Sequence, residues 1–280
     1  MKYRTFGPTG HSVSVIGMGT WRLNGDRSQA IAALHKGMEL GVNHIDTAEM
    51  YGDAELIVGE AIKGRREDVF LVSKVLPQNA SRRGTRTACE QSLKRLGTDR
   101  LDCYLLHWRG SVPLEQTVGA FLDLQREGKI RSWGVSNFDA GDLEEVFGMD
   151  AAPGESAACD QVLYHLRERA IEHAVIPFCQ KQRVAVVAYS PFGSGDFPDP
   201  NSPGGQVLAK IAKAHSATPY QVALAFLIRH PSVFAIPKTG SAKRAAENAG
   251  ACDLVLTPED LTAIEAAFPK GDKPRSLPMI

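Results

Sequence analysis

Short apolar runs punctuate this 280-residue chain at nearly even spacing, and helical patterns fill the intervals. With Ile16, Ile45, Val72, Leu105, Val135, Ala158, Val186 and Ala235 as markers, the steps are 29, 27, 33, 30, 23, 28 and 49 residues. The last step is long because two helical patterns fit inside it. Alternation at this pitch predicts parallel strands, each returned to the sheet by a helix. Eight such units in about 250 residues predict an α/β fold, a (β/α)8 TIM barrel. Residues 2–15 add an N-terminal β-hairpin turned at Gly7-Pro8-Thr9-Gly10, and Pro258–Phe268 adds an extra C-terminal helix. A doubly wound sheet is the alternative. Against it, Gly17-Met18-Gly19-Thr20-Trp21-Arg22 carries two of the three glycines of the dinucleotide fingerprint. No linker composition interrupts the chain, so residues 1–280 are read as one domain.

The expected strands are Val13–Trp21, Asn43–Asp46, Val69–Lys74, a run ending at His107, Ile130–Val135, Ala157–Gln161, Arg183–Tyr189 and Ser232–Ile236. The helices expected between them cover 28–40, 54–62, 82–96, 114–127, 139–148, 169–181, 205–215 and 219–229, with another starting at Lys243. Residues 193–204, rich in Gly, Pro, Asp and Ser, read as a long mobile loop.

Formal net charge is zero, which gives no cause to expect nucleic acid or an acidic membrane as a partner. No apolar run approaches the roughly 20 residues that span a bilayer, and the N-terminus lacks a signal peptide. The five cysteines, Cys89, Cys103, Cys159, Cys179 and Cys252, form no CxxC pair. They read as reduced, mostly buried thiols of a cytoplasmic protein.

Three strands finish on groups that can carry chemistry: Asp46, Lys74 and His107. Tyr51 follows Asp46 by five residues, inside a loop. In a parallel barrel these positions share the C-terminal rim, where catalysis sits. Burying Asp46 or Lys74 alone is costly, so the two are expected to pair. A free phenol has a pKa of about 10. A nearby ammonium lowers it, making Tyr51 a usable general acid for a carbonyl oxygen. His107 would orient that oxygen. The set holds no strong nucleophile. The rival, a His/Asp metal site, lacks the His-x-His and the clustered second histidine it would need, so no metal is expected. Taken singly, each residue has a plainer reading: Asp46 a loop cap, Tyr51 a packed aromatic, Lys74 a solvated strand end, His107 a satisfied buried histidine.

Reducing a carbonyl needs a hydride source. Ser136, Asn137 and Gln161 offer polar groups that suit a carboxamide, and Tyr189 supplies a flat face for a heteroaromatic ring. Ser190 and Gly193 lie in a loop able to approach a pyrophosphate. Pro237-Lys238-Thr239-Gly240-Ser241-Ala242-Lys243-Arg244 runs into a helix start, with the amides, hydroxyls and cations of a phosphate site.

With these residues in view, the chain resembles the aldo-keto reductases over nearly all its length. The resemblance is carried by Gly17–Trp21, Asn43–Gly52, Val72–Lys74, Asp102–Trp108, Gly134–Phe138, Ala188–Pro191 and Ile236–Lys238, with Arg244, Glu247 and Asn248. It looks most like the short bacterial members that reduce small aldehydes and methylglyoxal-type dicarbonyls. The resemblance implies NADP(H), no metal, a monomer, and the tetrad Asp46, Tyr51, Lys74 and His107 with Tyr51 as proton donor. It implies cofactor contacts from Gly19, Thr20, Trp21, Ser136, Asn137, Gln161, Tyr189, Ser190 and Gly193. Lys238, Thr239, Ser241 and Arg244 would hold the 2′-phosphate, with Glu247 and Asn248 near the adenine. Trp21, Met50 and Trp108 are expected in the substrate wall. One departure is Asp160-Gln161, where many members have Asn-Gln. Another is the short tail Lys270–Ile280, which predicts an open pocket and broad substrate selection. The alternative function is a non-catalytic barrel that senses the NADP redox state for a partner.

Overall fold

Parallel strands covered on both faces are buried nearly throughout, and here they are, with most of the polar residues among them held by specific partners. The computed structural model describes residues 1–23, 25–149 and 156–280. The hairpin strands β1 (Tyr3–Thr5) and β2 (Ser12–Ser14) pair antiparallel. The barrel strands are β3 (Met18–Gly19), β4 (His44–Asp46), β5 (Phe70–Val75), β6 (Leu101–Leu106), β7 (Ile130–Ser136), β8 (Cys159–Leu163), β9 (Ala185–Tyr189) and β10 (Val233–Ala235). Among the described residues these eight form one parallel sheet in chain order. Bridges from Ile16 to Ala235 and from Gly19 to Lys238 join its two edges and close the barrel.

The helices between and after the strands are α1 (Arg27–Glu39), α2 (Ala54–Ala61), α3 (Arg82–Leu96), α4 (Leu114–Arg126), α5 (Ala140–Gly148), α6 (Val175–Gln182), α7 (Pro203–Ala214), α8 (Pro219–Leu227), α9 (Ala242–Gly250) and α10 (Pro258–Ala267). Local chemistry fixes many of their ends. Asp26 accepts the Ser28 and Gln29 N–H groups at the start of α1, Ser81 accepts the Gly84 N–H in α3, and Gly97 ends α3 in a left-handed turn. Thr218 with Gln221, and Thr257 with Asp260, form capping boxes.

Two expectations need correcting. The run Val13–Trp21 is not one strand. Ser12–Ser14 serves the hairpin ladder, and only Met18–Gly19 joins the barrel. The segment 169–181 is not one helix but a 3₁₀ turn at Ala170–Glu172 followed by α6. Pro177 explains the break: in a helix begun at 169 its ring would clash with the carbonyl four residues back. At the third position of α6 its missing N–H costs nothing.

Strand alternation sorts side chains between barrel and helix layer. In β5, Ser73 turns outward and donates to Glu55 of α2, while Lys74 turns inward to Asp46 of β4. The hairpin seals the N-terminal floor. Phe6 lies 4.7 Å from Phe70, 5.1 Å from Phe234 and 5.7 Å from His44, measured between ring centres. His44 is buried among these rings, and neither ring nitrogen has a hydrogen-bond partner. Burial therefore pushes its pKa down to about 4, with the Asp46 charge opposing and the Lys74 charge adding to the shift.

An unfolded histidine takes up its proton near pH 6.5, whereas folded His44 does not do so until about pH 4. The unfolded chain binds more protons across that window. Stability is thus unaffected above pH 6.5 and declines as pH falls toward 4, by on the order of 3 kcal/mol from this residue. In urea unfolding at pH 7 and pH 4.5, His44→Leu should lose markedly less stability on acidification than the parent chain.

Candidate active site

The rim of the barrel gathers the four residues. Asp46 closes β4, Lys74 lies one residue from the end of β5, and His107 follows β6 directly. The His107 N–H donates to Val75 O at 3.0 Å, extending the ladder by one residue. Tyr51 comes from the loop between β4 and α2. The Lys74 ammonium, 0 % exposed, donates to Asp46 Oδ1 at 2.6 Å and to Thr47 O at 2.8 Å. It lies 5.0 Å from the centre of the Tyr51 ring. Tyr51 Oη is 3.4 Å from His107 Nε2. The second Asp46 oxygen accepts the Gln161 amide N–H at 2.7 Å.

These contacts set the charge states. Burial alone would lower the Lys74 pKa, but Asp46 and Tyr51 together outweigh it and the net direction is upward, so Lys74 is charged. For His107, burial comes first and the Lys74 charge second, and together they lower its pKa to about 3. The imidazole is neutral at physiological pH. Its Nδ1 is buried without a partner. A bare lone pair there costs less than an orphaned N–H, so we assign the proton to Nε2, facing Tyr51.

Tyr51 departs from expectation. Its pKa is raised, not lowered: burial comes first, and the opposing Lys74 charge does not overcome it. Isolated-pair reasoning leaves out the cost of placing a phenolate in a dry site. The phenol is accordingly fully protonated when idle.

A cavity of about 370 Å³ opens above these groups. Its wall includes Asp46, Tyr51, His107, Gly19, Thr20, Ser136, Asn137, Gln161, Tyr189, Ser190 and Lys238, and the expected apolar residues Trp21, Met50 and Trp108. The polar part of the wall is organised before any ligand arrives. Tyr189 Oη donates to Asn137 Oδ1 at 2.8 Å, and the Asn137 amide donates to His107 O and to Ser136 Oγ, both at 3.1 Å. Ser136 Oγ donates to Gln161 O at 2.7 Å. A carboxylate only accepts, so Gln161 must turn its NH₂ to Asp46. That leaves the Gln161 carbonyl oxygen for a donor from elsewhere.

Lys238 reaches this wall from its edge, and the remaining expected residues lie outside it. Gly193 sits at φ +75° in the turn after β9. Ser241 caps α9, and Thr239 Oγ1 accepts the Ser241 N–H at 3.0 Å. Lys238 and Arg244 are exposed, and among the described residues neither has a carboxylate partner. Partial burial lowers the Lys238 pKa, and the like charge of Arg244 adds to it. Glu247 is already engaged, accepting from Thr218 Oγ1 at 2.7 Å, and Asn248 is buried.

The aldo/keto reductase family model matches residues 15–268. The chain is 44% identical over 274 residues to methylglyoxal reductase YeaE of Escherichia coli, covering 96% of each chain. It belongs to the aldo/keto reductase family. It is also 35% identical over 254 residues to glyoxal reductase of Bacillus subtilis, covering 90% of this chain and 87% of that one. An aldo/keto reductase from Klebsiella pneumoniae, solved in complex with NADP and acetate, matches with a TM-score of 0.93 at 43% identity, over the whole of both chains.

Sequence reasoning about this aldo/keto reductase missed three wall residues: Ile236, Met279 and Ile280. The tail was expected to leave the pocket open, yet it brings Met279 and Ile280 to the wall beside Tyr189. The Ile280 backbone reaches the Tyr189 phenol, whose pKa burial pushes up to about 12. No periodic pattern marks a tail that folds back, so only the structure reveals it. Asp160 does not line the cavity. Strand alternation turns it outward, where the Phe138 N–H donates to it at 3.4 Å and burial holds its pKa well above the ordinary range. Among the described residues no cluster of three or more His, Cys, Asp or Glu is placed to hold a metal.

Lys74→Met would leave Asp46 buried without its cation. That should cost about 3–5 kcal/mol in urea unfolding at pH 7. The double variant Asp46→Asn, Lys74→Met should recover most of the loss.

Proposed function

We propose that this chain is an NADPH-dependent reductase of small aldehydes and ketones, including methylglyoxal-like dicarbonyls, with Tyr51 as proton donor. The observation that carries the reading is the convergence of a charged, buried Lys74 and a neutral His107 on one protonated phenol, at the floor of a cavity. The same reading takes residues 1–280 as a single domain, monomeric and cytoplasmic, acting on a small-molecule carbonyl compound. The free state of all five thiols suits that location; among the described residues no helix is long and apolar enough to cross a membrane.

The residues of the cavity wall suit the nicotinamide end of a dinucleotide. Gln161 presents an unused acceptor beside Ser136 and Asn137, suited to a carboxamide NH₂. Tyr189 lies at the same wall, its ring suited to stack on a nicotinamide, and Gly19, Thr20, Trp21 and Ser190 surround the approach, with Gly193 in the turn beyond Ser190. Lys238 and Arg244, two uncompensated cations flanking the capped start of α9, suit a 2′-phosphate together with Thr239 and Ser241. Glu247 and Asn248 lie one turn further along α9, on the adenine side.

When bound, the reduced cofactor supplies the hydride for the carbonyl carbon. The protein's own groups handle the oxygen. His107 donates its Nε2–H to the carbonyl oxygen and orients it toward Tyr51 Oη. As negative charge grows on that oxygen, Tyr51 transfers its proton there, and the Lys74 charge stabilises the phenolate that remains. The raised phenol pKa suits this order of events: the donor is always loaded, and Lys74 acts only once charge appears. Asp46, held at both oxygens, keeps Lys74 charged and aimed. Trp21, Met50 and Trp108, with Ile236 and the tail, give an apolar wall around the carbonyl substituent. A non-catalytic sensor would not require all four groups to stay in register.

Tyr51→Phe should lower kcat for methylglyoxal reduction by roughly 10²- to 10⁴-fold, the usual worth of a general acid, with NADPH binding by fluorescence unchanged. Retained turnover would refute the assignment. Lys238→Ala with Arg244→Ala should weaken NADPH by at least about tenfold through lost charge-assisted bonds. NADH should barely respond, and an equal loss for both would remove the phosphate role.

A further inference from the structure

Three of the four reacting-site groups are held in the barrel ladder, but Tyr51 is not. It lies five residues beyond Asp46, in a turn whose own bonds are local: Tyr51 N–H to Ala48 O and Ala54 N–H to Tyr51 O, both 3.1 Å. What ties this turn sideways to the strand carrying Lys74 is a short series of bonds. The Thr47 N–H donates to Val72 O at 2.9 Å, and the Glu49 N–H donates to Lys74 O at 3.3 Å. The side chain of Glu49 then crosses to the segment after β5. Its Oε1 accepts the Leu76 N–H at 2.6 Å and the Asn79 amide at 3.0 Å.

We propose that Glu49 is a positioning residue for Tyr51, clamping the phenol's loop to the chain just beyond Lys74. The inference rests on reading Tyr51 as the proton donor. Glu49 does not line the cavity, so it acts through Tyr51 rather than on a ligand. Leu76 is two residues past Lys74 and Tyr51 is two past Glu49, so these bonds tie together the two short segments that carry the ammonium and the phenol. Bonds to a carboxylate are among the stronger ones a loop can have. A drift of about 1 Å at a reacting group is enough to cost on the order of 100-fold in rate.

Glu49→Ala removes the bonds and the charge, whereas Glu49→Gln removes the charge but keeps a carbonyl oxygen that can accept both donors. For Glu49→Ala, kcat for methylglyoxal reduction should fall roughly 10- to 100-fold, with KM and NADPH affinity within about threefold of the parent. In the reverse reaction the alcohol passes hydride to NADP⁺ and its hydroxyl proton to the Tyr51 phenolate. That rate rises with pH through the phenol's pKa. Weakening the hold of Lys74 raises this pKa, so the rising limb should move upward by roughly half a pH unit or more. Glu49→Gln should restore both readouts, and Asn79→Ala, which removes one donor, should show an intermediate loss. Wild-type kcat and limb in Glu49→Ala would overturn the proposal. So would equal damage in Glu49→Gln, or a kcat loss matched by lost NADPH affinity and a lowered thermal midpoint. Should Glu49→Ala not fold, Asn79→Ala decides alone, and its wild-type behaviour overturns the clamp. Tyr51→Phe in the same series separates the two readings: if it turns over normally, the parent assignment fails, not the clamp.

Discussion

An ammonium with no access to solvent is a heavy demand on a fold, since the effective cost of burying one unpaired ion is several kcal/mol. Lys74 meets it with a short bond to Asp46 Oδ1 and another to Thr47 O. Both partners come from β4 and the residue after it, the neighbour of β5 in the barrel. The pair is thus built across one parallel ladder, where register is set by backbone bonds rather than by side-chain choice. Asp46 in turn is held from a strand far around the barrel by Gln161. Losing either end would leave a buried charge without compensation, so the sheet around this pair has little freedom to shift.

One cation then sets the character of two other groups. Its field adds to burial in keeping His107 neutral, and it works against burial at Tyr51. A histidine left to titrate normally would compete with the phenol for the proton. A phenol with a lowered pKa would be partly empty at the start of each turnover. The geometry avoids both: the imidazole is neutral and the phenol stays protonated, which under the proposed reaction keeps the donor loaded until the oxygen before it acquires charge.

Much of this was readable from residue order, because barrel architecture and strand-end chemistry are both local patterns. The pitch of the apolar runs gave the barrel, and the acid, lysine and histidine at consecutive strand ends gave a shared rim. The bond from Gln161 to Asp46 spans 115 residues. No periodicity encodes it, and Gln161 had been read only as a carboxamide partner. The phenol's net shift was misjudged for a related reason: a charged neighbour shows in sequence, whereas the dryness around it depends on packing. The hairpin was expected from its Gly7-Pro8-Thr9-Gly10 turn, but the boundary between its second strand and the first barrel strand was lost in Val13–Trp21, since alternation cannot tell which ladder a residue joins. The position of Pro177 held the clue to the broken segment before α6.

Chemistry and selection occupy different parts of this molecule. Asp46, Lys74, Ser136 and Gln161 lie within strands and His107 directly follows one, all close to the rigid ladder. The apolar wall of the cavity comes from elsewhere: Trp21 and Met50 from loops, Trp108 after β6, and Met279 and Ile280 from the folded-back tail. Met50 is 46 % exposed, and Met279 and Ile280 more so. Exposed side chains on loops can change with little effect on the buried pair, because they share no hydrogen bonds with it. Under the proposed function, substitutions in this wall should therefore alter which carbonyl compounds bind while the Asp46–Lys74 pair stays intact. Tyr51 stands at the boundary of the two regions, the proposed proton donor on a loop, and it is there that precision depends on side-chain ties rather than on the sheet.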